Sequence, residues 1–230
     1  MDFRDRHVVV TGGAGALGSA VVAALVEAGA RCHVPCFDEA EAKRFRLRDH
    51  QLVTVTVAGN LADAAAVDRA YQGVAPLWAS IHIAGGFAFG PLREADIATI
   101  RRQIDMNLLS CLLCCRAAVA AMRSGGRIVN VSARAGLEWR TGANMTAYTA
   151  SKAGVAALTA ALAEEVAEDG VLVNAVAPSI MDTPANRQAM PNADFALWPK
   201  VEDVAATILF LASPDNRVTR GAVVPVYGKS

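Results

Sequence analysis

Strand-like and helix-like segments alternate along the whole chain. Short runs rich in Val and Ile are separated by longer stretches in which apolar residues recur at helical spacing. The pattern predicts strands at 7–11, 30–36, 51–57, 77–86, 126–132, 170–178 and 221–227. It predicts helices at 16–29, 61–73, 94–123, 144–168 and 201–213. Apolar strands that alternate with helices in this way are typical of a parallel sheet covered on both faces.

The chain length fits one domain. Its 230 residues are enough for one packed core and short for two, and no Pro- and Ser-rich linker or internal repeat divides them. We predict a single α/β domain over residues 1–230, a doubly wound parallel sheet of about seven strands in a three-layer sandwich. Ligands of such sheets bind at the carboxyl ends of the strands.

Composition and charge exclude several classes of protein. Hydrophobic residues make up 53% of the chain and the formal net charge is zero, which disfavours disorder and a nucleic-acid partner. No apolar run approaches the roughly 20 residues of a membrane span. The N-terminal stretch 1–13 lacks the regions of a signal peptide. We therefore expect a soluble, cytoplasmic protein with neither a nucleic-acid nor a membrane partner.

The cysteines and histidines do not form a recognisable metal motif. Cys111 and Cys114 make a C-x-x-C, but they lie in an apolar helical pattern without a second ligand pair. The four His residues are scattered. The prediction is that the cysteines (Cys32, Cys36, Cys111, Cys114 and Cys115) are buried small hydrophobes and that the chain has no metal site.

A glycine-rich turn joins the first predicted strand to the first predicted helix. Gly12, Gly13, Gly15 and Gly18 lie in the sequence TGGAGALG. Glycines permit a tight turn and let backbone N–H groups approach a phosphate, and the start of the helix adds partial positive charge. This turn predicts dinucleotide binding.

The end of the second predicted strand leaves the choice between NAD and NADP open. An acid there usually binds the adenine ribose, whereas a basic residue accommodates a 2′-phosphate. The expected acid position is Cys36, its neighbour is Phe37, and Asp38 comes two residues late. A basic cluster at 43–48 fits a phosphate contact and a solvated helix face equally well.

Tyr148 and Lys152 are four residues apart in the sequence YTASK, so they share one helix face. An ammonium beside a phenol favours the phenolate and lowers the pKa of the tyrosine. The pair is therefore a candidate for proton transfer near neutral pH.

These motifs, in their order along the chain, resemble the short-chain dehydrogenase/reductase family. The resemblance also includes AGG at 84–86, MNLLS at 106–110, VNAVAPSIMDTP at 173–184 and VEDVAATILFLASP at 201–214. It implies an NAD(P)-dependent oxidoreductase that interconverts a carbonyl and an alcohol on a small or medium organic substrate, with a proton from Tyr148. It also implies that this enzyme belongs to class EC 1.1.1.

The resemblance assigns roles to individual residues. The expected catalytic residues are Tyr148, Lys152, Asn107 and Ser132, the last as the nearest candidate for the serine that holds the substrate oxygen. The expected cofactor-binding residues are Gly12, Gly15, Ala16, Leu17, Gly18, Phe37, Asn60, Leu61, Ala84, Gly85, Tyr148, Lys152, Pro178, Ile180 and Thr183. The resemblance also implies a homodimer or homotetramer formed through the long helices.

The chain departs from the family pattern at several positions. Ala16 replaces a motif glycine, His82 replaces the first Asn of N-N-A-G, and the segment from Thr183 to Val201 is short for a substrate lid. In the family's S-S-x-A-G pattern the second Ser is catalytic, but that place here is Ala133. Either the register shifts and Ser132 serves, or the site works without the hydroxyl.

The missing hydroxyl keeps two alternatives to carbonyl reduction open. One is the reduction of a conjugated C=N, as in dihydropteridine or imine reductases. The other is a dinucleotide-sensing protein without catalysis, against which Tyr148, Lys152 and Asn107 argue. Candidate substrate-wall residues, for which ordinary packing is the competing explanation, are Phe87, Phe89, Trp139, Met145, Phe195 and Trp198.

Overall fold

The computed structural model describes residues 1–74, 76–122 and 124–230. The end predicted for the long helix, Arg123, therefore lies outside the described residues. Seven strands form one sheet, which confirms the predicted fold class. Their bounds are β1 His7–Thr11, β2 Arg31–Cys36, β3 Val53–Val57, β4 Leu77–His82, β5 Gly126–Val131, β6 Val171–Pro178 and β7 Val223–Val226.

Nine α-helices connect the strands among the described residues. Their bounds are α1 Ala16–Glu27, α2 Glu39–Arg44, α3 Ala64–Tyr71, α4 Ile97–Ile104, α5 Ser110–Ala121, α6 Arg134–Leu137, α7 Thr146–Glu165, α8 Pro184–Ala189 and α9 Val201–Ala212. The short helices α2, α6 and α8 are absent from the sequence prediction because each has only one or two turns of apolar periodicity.

All strand pairs are parallel, in the order β3-β2-β1-β4-β5-β6-β7. The order reverses between β1 and β4, since β1 is followed outward by β2 on one side and by β4 on the other. A crevice opens outside the carboxyl ends of the strands at such a reversal. Here those ends are Thr11 and His82, which are register partners.

Helices cover both faces of the sheet. One apolar cluster joins α1 and α9 to the inner strands through residues such as Val21 and Ile208. A second cluster packs α5 and α7 on the opposite face through Cys115, Val155 and Ile128. The inner strands are consequently buried on both sides, which explains why they appear in the sequence as unbroken apolar runs.

The single helix predicted at 94–123 is built of three parts. α4 passes into a π-helical turn at Asp105–Leu109, which continues into α5. The stretch Ile97–Ala121 has the length and apolarity of a membrane span, which corrects the expectation that no segment approaches that size. Its buried residues Cys111, Cys114 and Ala118 pack within the domain, as in the core helix of a globular protein.

Candidate active site

The glycine loop has the geometry that its sequence predicts. Gly12 has φ +66°, a conformation that L side chains rarely adopt, and a Cβ there would lie 2.7 Å from the backbone nitrogen of Ala84. A Cβ on Gly18 would overlap the carbonyl oxygen of Gly12. The turn therefore closes tightly against the loop after β4, at the point where the strand order reverses.

The start of α1 suits a pyrophosphate. Among the described residues no side chain caps this helix, whose N-cap is Gly15, and both Gly15 and Ala16 are exposed. The first-turn N–H groups remain available to an anion, and the helix dipole favours negative charge there. The loop residues thus fit the phosphates of a dinucleotide.

A carboxylate stands at the carboxyl end of β2, at a residue that sequence reasoning did not single out. Phe37 is exposed, and its backbone N–H donates to Glu41 Oε2 at 2.6 Å. Asp38 caps α2 by accepting from the N–H of Glu41. The D-x-x-E spacing at 38–41 resembles a capping box, and this was the signal that could have identified Glu41.

Tyr148 and Lys152 lie one turn apart near the start of α7. Lys152 is buried, and its Nζ donates to the carbonyl oxygen of Val131 at the end of β5, at 2.8 Å. The ring of Phe87 meets the Tyr148 ring edge-on, with centroids 5.0 Å apart. The pair therefore faces the carboxyl ends of the central strands, where the cofactor of such a sheet lies.

Burial is the largest influence on the pKa values of both Lys152 and Tyr148. It lowers the pKa of Lys152 to about 8, against a small opposing contribution from Cys111, and it raises the pKa of Tyr148 to about 12. The expected lowering of the tyrosine pKa is therefore wrong for the chain without cofactor. Desolvation of the phenol raises this pKa and outweighs any lowering by the ammonium of Lys152. Tyr148 holds its proton at neutral pH, which suits donation to a substrate oxygen.

Asn107 lies in the π-helical turn between α4 and α5 and is buried. Its Oδ1 accepts from the N–H of Gly86 at 2.9 Å, and its Nδ2 donates to the carbonyl of Gly86 at 3.0 Å. A Cβ on Gly85 would approach both Asn107 Oδ1 and Lys152 Nζ. The asparagine consequently fixes the loop after β4 beside the lysine.

Ser132 turns its hydroxyl away from the cleft. The buried Oγ donates to the carbonyl oxygen of Lys152 at 2.8 Å. Gly136 packs directly on this contact, because a Cβ there would lie 2.7 Å from Ser132 Oγ. This geometry does not support the expectation that Ser132 holds the substrate oxygen. Ala133, the next residue, follows the strand as the N-cap of α6.

The remaining predicted cofactor residues lie at strand ends or on the loops after them. Pro178 ends β6, Ile180 is half-exposed just beyond it, and Thr183 caps α8 by accepting from Asn186 at 3.2 Å. Asn60 is exposed, and its Oδ1 accepts from Ala62, whereas Leu61 packs in an apolar cluster under α3.

A cavity of about 310 Å³ lies between the loop after β4, α4 and the start of α7, where its lining ends at Ala147, the residue before Tyr148. Two of the predicted wall residues, Phe89 and Met145, line it. Gln103 also lines it, and its buried Oε1 has no hydrogen-bond partner among the described residues. The cavity is large enough for a small organic substrate.

The other aromatic candidates divide between the cleft and ordinary packing. Phe87 and Trp139 are 59% and 71% exposed, so both are available to a substrate. Phe195 and Trp198 instead pack against each other with tilted rings, whose centroids are 5.0 Å apart, and Trp198 is buried. The short segment after Thr183 is thus folded on itself, with Arg187 paired to Asp182 at 2.6 Å.

Comparison with known proteins agrees with this geometry. The sequence model described as short chain dehydrogenase matches residues 6–194. Galactitol 2-dehydrogenase of Rhizobium johnstonii is 36% identical, over 96% of this chain and 93% of its own. Cis-4-hydroxycyclohexanecarboxylate dehydrogenase of Sinomonas cyclohexanicum is also 36% identical, over 98% of this chain and 96% of its own.

Solved structures show the same fold. A blue fluorescent protein from a metagenomic library, in complex with NADPH, superposes with a TM-score of 0.89 at 27% identity, over 100% of this chain and 99% of its own. A short chain dehydrogenase/reductase family oxidoreductase from Burkholderia thailandensis gives 0.86 at 31% identity, over 97% and 91%. These comparisons favour neither the C=N reductase nor the dinucleotide-sensing alternative.

Proposed function

The chain belongs to the short-chain dehydrogenase/reductase family and is an NAD(P)-dependent oxidoreductase acting between alcohols and carbonyls; on that premise we propose that Tyr148 is its proton-transfer residue. The observation that carries the proposal is the position of Tyr148 one helical turn before the buried Lys152, whose Nζ lies beside Asn107 and the carboxyl end of β5. When bound, the nicotinamide supplies or accepts the hydride.

The chain's own residues divide the remaining work. In reduction, Tyr148 Oη donates its proton to the carbonyl oxygen; in oxidation, it takes the proton from the hydroxyl. Lys152 brings positive charge to the phenol and to the cofactor ribose. Asn107 acts as a positioning residue, because its two hydrogen bonds to Gly86 hold the loop that lies against the lysine.

Ser132 has a supporting role in this proposal. Its bond to the Lys152 carbonyl ties the end of β5 to the turn of α7 that carries the lysine, so it positions that residue and does not touch the substrate. The substrate oxygen is held without a serine hydroxyl at position 133, which is alanine.

The proposed substrate is a small or medium organic molecule with a hydroxyl group on carbon or the corresponding ketone. The cavity at the start of α7, with Phe89 and Met145 in its wall, supports this size. The names of the two relatives describe dehydrogenation of galactitol and of a hydroxycyclohexane carboxylate. Polyols and cyclic hydroxy acids are therefore the first substrates to test.

The test is a panel of polyols, cyclic hydroxy acids and their ketones, followed by nicotinamide absorbance, on the wild type and on Tyr148→Phe. We expect Tyr148→Phe to lower kcat by about 10²-fold or more, because the phenol proton is lost, with the Kd for the cofactor nearly unchanged. Turnover that survives in the phenylalanine variant would contradict the role of Tyr148. A cofactor that binds without any turnover would contradict an enzymatic function.

For the cofactor we propose NAD in preference to NADP. The Glu41 carboxylate at the end of β2 supports this, because it repels a 2′-phosphate and accepts from a ribose hydroxyl. The basic residues of α2, Lys43 and Arg44, lie in its last turn, whereas Glu41 lies in the first turn, next to β2. Kinetics with both cofactors test the preference.

We expect kcat/KM to be at least about tenfold higher with NAD than with NADP, and Glu41→Gln to reduce that ratio. Glu39→Gln is the matched control, because Glu39 lies in the same first turn of α2 without a bond to Phe37. An unchanged ratio in Glu41→Gln, or an equal change in both variants, would refute the role of Glu41.

We also propose a cytoplasmic homodimer or homotetramer. Free thiols at all five cysteines support a reducing compartment, since such thiols persist there. Half-exposed leucines on α5 support association through this helix, as discussed below.

A further inference from the structure

A cluster of four potential metal ligands lies in the core behind the active site. His82 ends β4, Asn130 lies on β5, and Cys111 and Cys115 are one turn apart on α5. All four side chains are buried. Cys111 and Cys114 make the C-x-x-C of the sequence, which predicted no metal site. In the fold it is Cys115 that joins Cys111, and a histidine distant in sequence lies beside them.

The four donor atoms lie close together, and those of His82, Cys111 and Cys115 are all within 4.8 Å of one another. His82 Nδ1 lies 3.5 Å from Cys115 Sγ, 4.0 Å from Cys111 Sγ and 2.8 Å from Asn130 Oδ1. Asn130 Oδ1 lies 3.3 and 3.6 Å from the two sulfurs. A tetrahedral ion with metal–sulfur bonds of about 2.3 Å and metal–nitrogen bonds of about 2.0 Å needs donor separations of about 3.3 to 3.8 Å. Three of these separations lie in that range, whereas His82 Nδ1 is closer to Asn130 Oδ1 and farther from Cys111 Sγ, so the imidazole ring must shift when an ion binds.

The hydrogen bonding of the cluster is overcommitted. Asn130 Nδ2 donates to Thr159 Oγ1 at 2.9 Å, so the amide oxygen must face the cluster. The two thiols and the Nδ1–H of His82 are three potential donors within reach of this one oxygen, which has only two lone pairs. A cation in the centre would replace these three competing hydrogens and use every donor atom as a ligand.

We propose that His82, Cys111, Cys115 and Asn130 form a structural site for a thiophilic divalent cation, Zn²⁺ by charge balance. On binding, two S–H bonds break and two metal–sulfur bonds form, with both protons released to solvent. The resulting unit of one divalent ion and two thiolates is neutral, so its burial avoids the cost of an unpaired charge. No oxidant or reductant takes part.

The surroundings of His82 suit a metal ligand. Its Nε2 lies 2.8 Å from Ser80 Oγ and 3.2 Å from the hydroxyl of Tyr71. When Nδ1 binds the cation, the imidazole proton moves to Nε2 and is accepted by these hydroxyls, which fixes the tautomer and the ring orientation. The bound ion would link α5 to β4 and β5. Its first ligand on α5, Cys111, follows Asn107 by four residues.

The experiment measures metal in the full-length protein. The chain is produced in zinc-supplemented medium and passed through gel filtration with a weak chelator. Its zinc content is then measured by elemental mass spectrometry. Separately, it is unfolded and refolded with Co²⁺ under reducing conditions. We expect about one ion per chain, and thiolate-to-cobalt charge-transfer absorption with the visible bands of a tetrahedral centre.

Variants locate the ion. Cys111→Ala, Cys115→Ala and His82→Asn should each lower the metal content by about tenfold or more, whereas Cys114→Ala should retain it. Cys114 is the matched control because it is buried on the same helix outside the cluster. A metal-free wild type by both routes, or a content that Cys111→Ala and Cys115→Ala leave unchanged, would overturn the proposal. If the variants do not fold, the cobalt spectrum of the wild type decides, since its thiolate bands are either present or absent.

Discussion

Substitutions of two neighbouring residues, Ser132 and Ala133, are the most direct test of the roles of single residues in the site. Ser132 donates to the Lys152 carbonyl from a buried position, so Ser132→Ala removes a buried hydrogen bond and not a substrate contact. We expect the free energy of unfolding to fall by about 1 kcal/mol and kcat/KM to fall less than about tenfold. Denaturant unfolding and steady-state kinetics measure the two effects.

Ala133→Ser is the companion variant. It restores a hydroxyl at the position where the family pattern has its catalytic serine, and we expect kcat/KM for a ketone to rise. A loss of about 10²-fold in Ser132→Ala, with no gain in Ala133→Ser, would return the catalytic role to Ser132.

The sequence identified most of the site at this scale but not the direction of its side chains. Tyr148, Lys152 and Asn107 were predicted from spacing and motif, and the fold brings Lys152 and Asn107 together at Gly85, in the loop after β4. The orientation of Ser132 was not predictable, because it depends on which face of the strand end packs against α7. Glu41 was missed because the residue lies on α2, past the strand end in sequence, and only the turn into this helix brings its carboxylate back to the end of β2.

At the scale of the element, the join between β1 and α1 is the segment most tightly constrained by backbone contact. A Cβ on Gly18 would overlap the carbonyl oxygen of Gly12, whereas one on Gly15 would lie 3.3 Å from it. We expect Gly18→Ala to lower the free energy of unfolding by about 1–3 kcal/mol, because backbone must move, and Gly15→Ala by less than about 1 kcal/mol.

Denaturant unfolding of both variants, without cofactor, separates this steric effect from any loss of phosphate binding. Gly15 is an informative control because it caps the same helix and its φ of −75° is open to alanine. Equal destabilisation by the two substitutions would show that the contact with Gly12 does not limit the packing of α1.

Elements were predictable where a regular apolar period decides the structure. All seven strands and the long helices appear in the sequence pattern, with ends that shift by a few residues. The π-helical turn that carries Asn107 was not predictable, because an apolar period continues through it from α4 into α5. This extra turn directs the asparagine toward the loop after β4, and such turns often occur at functional sites.

At the scale of the whole molecule, the layer order followed from the alternation of strands and helices, but the convergence of distant side chains did not. His82 and Cys115 are far apart in sequence. Only the parallel crossover between β4 and β5, which includes α5, brings Cys115 against His82. Neither spacing nor composition carries that information. Sequence reasoning therefore predicted buried cysteines and missed the cluster that they form.

The outer face of α5 gives the prediction for the assembly. Leu109, the N-cap residue of α5, and Leu112 in its first turn are 36% and 41% exposed. Two apolar residues three positions apart form a stripe that packs well against a second helix, so we expect the wild type to run as a dimer or tetramer of the 24.0 kDa chain. Light scattering after gel filtration gives the mass directly.

Leu112→Lys should lower that mass toward 24.0 kDa, because an apolar interface between helices cannot accommodate an unpaired ammonium. Val57→Lys is the control: Val57 is 39% exposed, but it lies on the edge strand β3, at the end of the sheet away from β5. It should leave the mass unchanged. A monomeric wild type would rule out the assembly, and equal dissociation by both variants would show that charge, not the α5 face, controls it.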